Sequence, residues 1–72
     1  MRITFDTDET AIQWIEMVDG KCVDTNQDNV ADAVWRGAEV RNVVIGQPLE
    51  YHLVSMPEGE WGVFGGNVVS IE

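Results

Sequence analysis

Asp24, Asn26 and Asp28 stand at alternate positions with Asp32 four residues on. A tight loop of that spacing turns side-chain oxygens toward one centre, where a hard cation could sit. His52 is the single histidine and Cys22 the single cysteine, too few nitrogen and sulfur donors for a zinc site. No nucleophile elbow, Walker loop or dinucleotide fingerprint accompanies them, and Gly65-Gly66-Asn67 lacks the following helix and lysine of a phosphate cradle. Between Tyr51 and Leu53, His52 reads as a sheet-face residue and not as a general base. Cys22 reads as a small core or loop residue. No catalytic residue, metal centre or cofactor is expected, and the chain is read as a non-enzymatic protein that acts by binding.

The segment from Asp24 to Asp32 resembles the opening of a calcium loop of the EF-hand or dockerin type. It departs at the sixth position, Asn29 where glycine is usual, and at the twelfth, Trp35 where a bidentate acid closes the shell. The simpler reading makes Asp24 to Asp28 turn and helix-capping residues, with a weak calcium-binding module as the lesser alternative.

Carboxylates are the more informative constellation. Thirteen Asp and Glu stand against four Lys and Arg, a formal net charge of −9, and Lys21 is the only lysine. Nucleic acid and anionic lipid are poor direct partners for such a chain, because binding phosphate needs cations that displace counterions. The expected partner is the basic surface of a nucleic-acid-handling protein, met by Glu9, Glu16, Asp28, Asp32, Glu58, Glu60 and Trp61. Glu9 and Glu16 are expected on a first helix, two turns and about 10 Å apart, opposite its apolar stripe. Asp28 and Asp32, at i and i+4 on a second helix, cost it about 0.2–0.5 kcal/mol through like-charge repulsion, so stability does not explain them. Trp61, ringed by Glu58 and Glu60, is expected as an interface anchor. A surface kept acidic for solubility is the competing explanation.

Elements must hold these residues. Alternation of Ile3 and Phe5 predicts a strand over Arg2 to Asp6. Thr7 or Asp8 then caps a helix from Asp8 to Asp19, with Ala11, Trp14, Ile15 and Val18 as its buried stripe and Gly20 as its stop. Residues Lys21 to Asn26 connect to a second helix, capped by Thr25 with Asp28, apolar through Val30, Ala33 and Val34, with Trp35 at its margin and Gly37 at its end. Strands follow over Glu39 to Ile45, Leu49 to Ser55, Glu60 to Phe64 and Val68 to Ile71. Gly46-Gln47-Pro48, Met56-Pro57-Glu58-Gly59 and Gly65-Gly66-Asn67 supply the turns between them. The expected fold class is α+β in the order β-α-α-β-β-β-β, two helices packed on one face of a mostly antiparallel sheet.

With 72 residues there is room for one domain, 1–72, and one core. No run approaches the roughly 18 apolar residues needed to span a bilayer, no export signal opens the chain, and the lone cysteine fits a reducing compartment, so the expectation is cytoplasmic. In size, charge and lack of catalytic apparatus the chain resembles the small acidic DNA-mimic inhibitors of phages and mobile elements, of the anti-CRISPR and anti-restriction kind. That resemblance matches no specific motif and carries over no residues. It implies an inhibitor that imitates nucleic-acid phosphates and occupies a basic surface of a host defence protein, in the host cytoplasm if phage-encoded. The alternative from another class is an assembly module that homodimerises through its sheet, since Val40, Val43, Val44 and Ile45 place apolar groups on both faces of one strand.

Overall fold

Along Trp14–Val18 side chains alternate, Ile15 and Met17 pointing into the core while Trp14, Glu16 and Val18 point out. That period of two is a strand's, and it replaces the described part of the expected helix from Asp8 to Asp19. The next two residues decide the outcome. Asp19 (φ 54°) and Gly20 (φ 78°) are both left-handed, as a two-residue hairpin turn of type I′ requires, and Asp-Gly is a preferred pair for it. Gly20 therefore turns a hairpin instead of stopping a helix, and Val18 pairs with Lys21 across it.

The structure, a computed structural model, describes residues 1–7, 12–26, 30–55 and 60–72 and, of Val30, Ala31 and Asp32, the backbone alone. Among the described residues six strands form: β1 (Arg2–Phe5), β2 (Trp14–Val18), β3 (Lys21–Thr25), β4 (Glu39–Arg41), β5 (Pro48–His52) and β6 (Gly62–Ile71). Each pairs antiparallel with the next, and β6 pairs back to β1, closing a barrel. One helix of six residues, α1 (Val30–Trp35), follows β3. The expected α+β layering of two helices on an open sheet is thus overturned.

Local chemistry accounts for each difference. Lys21 to Asn26 is not a connection: β3 takes all but Asn26, and Val23 is an extra residue between the pairs Met17↔Cys22 and Glu16↔Asp24. This bulge lets both Cys22 and Thr25 face inward although they are three apart. Thr25, expected to cap the second helix, is buried in β3 instead, while its expected partner Asp28 lies outside the described residues. α1 does stand where the second helix was expected and gives way to Gly37 at φ 87°. Trp35 is not marginal but buried, tilted against Tyr51 at 4.7 Å and edge-on to Phe64 at 5.8 Å, with Phe64 stacked on Phe5 at 4.1 Å. This aromatic row runs from the end of α1 through β5 and β6 to β1, and β3 and β4 share the single pair Lys21↔Glu39. Its neighbours in the core are Ile3, Ile12, Ile15, Met17, Cys22, Ala38, Leu49 and Val68.

The expected strand from Glu39 to Ile45 ends early, at Arg41, because Asn42 turns left-handed at φ 60°. Val40 and Val43 pack on the core, while Val44 and Ile45 stand exposed in the loop to β5. Nor is Gly65-Gly66-Asn67 a turn: β6 runs through it unbroken with outward and inward positions alternating. The glycine at 66 answers a close approach, since a Cβ there would lie 2.6 Å from Thr7 Cβ, whereas one at Gly65 would meet open space. Gly66→Ala should therefore lower stability by about 1–3 kcal/mol through overpacking, with Gly65→Ala far milder. Urea midpoints at unchanged m-value check this, and equal costs at the two positions would refute the packing argument.

Candidate binding surface

Outward-facing residues of β4 and β5 are set in register as Glu39↔His52 and Arg41↔Glu50. Tyr51 pairs with Gly62 in the same way, so Trp61, one residue before β6, comes to lie beside His52 with ring centroids 5.4 Å apart. The Arg41 guanidinium covers the other reach of that indole at 4.1 Å and also pairs through Nε with Glu50 Oε2. Trp61 is half-buried as a result, with exposed Glu60 next to it in sequence. The stacked cation is held in place by two contacts on its own protein, the indole and Glu50, and its charge is met locally by that carboxylate and the ring.

A second cluster repeats this arrangement on β1 and β2. Arg2 lies over the Trp14 ring at 4.1 Å, so Trp14, expected in the core, is an outer-wall residue instead. Glu16 is flanked in the ladder by Arg2 on one side and Asp24 on the other. Its carboxylate accepts from the chain's amino terminus, 2.8 Å from Oε2. That hydrogen bond is the main reason the Glu16 carboxyl titrates below its usual value. Partial desolvation opposes it, and the charges of the amino terminus and Arg2 and the Met17 backbone N–H assist.

The sequence-derived site is only partly brought together. Glu60 and Trp61 are adjacent beside β5, and Glu16 is on β2, which is not a neighbour of β5 in the ring. Glu9, Asp28 and Glu58 lie outside the described residues, as does the side chain of Asp32. The expected presentation on helix faces does not hold for Glu16, which a strand carries. Arg41, Glu50 and His52 were not singled out together because cross-strand register alone unites them.

The calcium-like spacing is also set differently from a wrapped loop. Asp24 lies in extended β3 and its Oδ1 accepts from the Thr25 N–H at 2.9 Å; Asn26 Oδ1 accepts from the backbone N–H groups of Gln13 and Trp14, the latter at 2.9 Å. Both oxygens thus hold backbone, that of Asn26 fixing the entry to β2 and that of Asp24 bonding within β3. Among the described residues no three His, Cys, Asp or Glu side chains gather as a metal-holding group, and no helix is long and apolar enough to cross a membrane. A shallow groove of about 500 Å³ opens between the β2–β3 turn and the end of α1, lined by Val18, Asp19, Lys21, Val23 and Arg36 with Cys22 and Gly37 behind. No protein-family model, no curated protein and no solved structure matches the chain.

The lowered titration of Glu16 has a definite sign. Its contribution to stability is fully present above the ordinary carboxylate value, 4.5, and is lost as pH falls through the lower value of the folded state. Glu16→Gln should therefore unfold at a lower temperature than the parent at neutral pH, with the gap closing in acid. Thermal melts at about pH 7 and about pH 3 check it. A gap of the same size at both would show that the ion pair is not its source.

Proposed function

We propose that the chain is a non-enzymatic binding protein whose outward carboxylates imitate nucleic-acid phosphates and occupy a basic surface of a nucleic-acid-handling protein, acting as its inhibitor. The observation that carries this reading is the register Glu16↔Asp24, two acids directly opposite on the solvent side of a hairpin. Glu16 finds its counter-charge in the amino terminus at 2.8 Å, and the exposed Asp24 opposite it is left to face a partner.

Strands also suit the task. Neighbouring strands are about 4.8 Å apart and outward positions repeat about every 6.6 Å along each, so an acidic barrel wall presents a dense two-dimensional array of charge. Arg2 and Arg41 do not offset it at a distance, being folded onto Trp14 and Trp61 beside Glu16 and Glu50. Exposed Asp24, Glu39 and Glu60 are left to face a partner. Half-buried Trp61, pre-positioned by Arg41 and His52, supplies the anchor, since rigid aromatic groups are enriched among residues that dominate interfaces. A nucleic-acid-handling partner places the encounter in the cytoplasm.

Competition with labelled DNA or RNA for the basic protein tests this. Displacement should weaken as salt rises, because the attraction is screened over about 10 Å at 0.1 M. The triple reversal Asp24→Lys, Glu39→Lys, Glu60→Lys should slow association about tenfold or more. Trp61→Ala should instead speed dissociation, costing about 2 kcal/mol or more. If the triple variant keeps the parent's circular dichroism and competes as well as the parent, the carboxylates do not make the contact and the reading fails.

A further inference from the structure

Neither residues 42–49 nor residues 61–71 include a charged side chain, in a chain where 24% of residues are charged. The fold sets these two segments side by side. Ile45 bridges Val68, the Gly46 N–H donates to Val68 O at 2.8 Å, the Val68 N–H donates to Gln47 O at 3.0 Å, and Pro48 pairs with Asn67. The Gln47 N–H closes the loop on Val44 O at 3.1 Å. Held by these bonds, the loop presents Ile45 at 60% exposure with Val44 exposed beside it, and Val69 is exposed on the outer face of β6, while Ile71 pairs with buried Ile3 at the end of the strand. Beyond Val68, β6 has β1 on one side and, among the described residues, no strand on the other. Proteins guard such edges with lysine, proline or inward charge, and none of these stands between Val68 and Ile71.

We propose that this face is the contact between two copies of the chain, related by a two-fold axis. The occupant follows from charge. A chain of net −9 repels its own copies wherever Asp and Glu meet, and the face around Ile45 and Val69 is where two copies approach with no carboxylate of segments 42–49 or 61–71 opposed, the bordering carboxylate of Asp6 being held by the Asn67 N–H at 2.7 Å. An isologous contact sets a patch against itself, so an uncharged apolar patch is self-complementary without any opposite charge. A basic partner gains nothing there, since it would lose solvation of its cations without finding anions. The two surfaces can therefore work independently.

Sedimentation of the full chain at micromolar concentration, in about 0.1 M and about 1 M sodium chloride, separates this from the charge-driven binding above. Screening shrinks from about 10 Å to about 3 Å between those salts, so self-association should tighten with salt where binding to a basic protein weakens. Ile45→Asp and Val69→Asp should each raise the dimer dissociation constant about tenfold or more. Val54→Asp adds the same charge at a residue 71% exposed beyond the other end of β5, and it should change the constant far less. The proposal is overturned if the parent sediments as a monomer at both salts. It is equally overturned if folded Ile45→Asp and Val69→Asp dimerise like the parent, or if Val54→Asp disrupts as strongly as they do.

Discussion

A ten-residue strand, Gly62–Ile71, pairs with β5 along its first part and with β1 along its last, and through this double pairing so short a chain encloses a core. An open sheet of these short strands would bury one face and leave two edges, whereas the ring buries one side of every strand around a common centre. Ile3, Ile15, Leu49 and Val68 are fully buried on that account, each from a different strand. Irregularities make the double pairing feasible, one of them against β5, where Phe64, Gly65 and Gly66 stand opposite Leu49 alone. Gly66 permits Thr7 to approach the strand, and Val69 is an extra residue where the register shifts between Thr4 and Phe5. The amino-terminal strand is tied to the last residues by reciprocal bonds between Arg2 and Glu72.

This closure explains which parts of the fold could be read from the residues. The strands around Ile3 and Phe5 and around Leu49 and Tyr51 were legible because alternation was their only consistent period. At residues 11–18 two periods fit at once: Ala11, Trp14, Ile15 and Val18 suit a helix, and Ile15 and Met17 suit a strand. Tertiary pairing with β1 and β3 settles it for the strand, and the pair Asp19-Gly20 was the local signal that a hairpin and not a helix end lay there. Gly65-Gly66 misled for the opposite reason, having the composition of a turn but serving close packing in an extended strand. Such a need arises from a residue far away in sequence, Thr7, and leaves no local mark.

The same reasoning applies to the surface. That acids would outnumber bases was plain from composition, and Trp61 was expected as an interface anchor ringed by Glu58 and Glu60, of which Glu58 lies outside the described residues. The cover of Trp61 by Arg41 and His52 was not legible, since β4, β5 and the start of β6 meet only through register. The barrel also sorts the surface in a way no linear reading shows. Both arginines with ring partners are drawn onto tryptophans, acids oppose one another across β2 and β3, and two uncharged segments distant in sequence become one face. On a molecule about 27 Å across, the uncharged segments thus lie within a short distance of the acids.

All of this depends on the seam between the first and last strands. Arg2 and Glu72 exchange both backbone hydrogen bonds, so the adjacent pair Ile3↔Ile71 is the non-hydrogen-bonded kind, whose Cα atoms lie about 4.5 Å apart. A two-dimensional nuclear Overhauser spectrum of the dilute chain should therefore contain a strong cross-peak between the Hα protons of Ile3 and Ile71. Its absence from a folded sample, with helical shifts over Trp14 to Val18 in place of extended ones, would contradict the closed barrel and with it the arrangement of both surfaces.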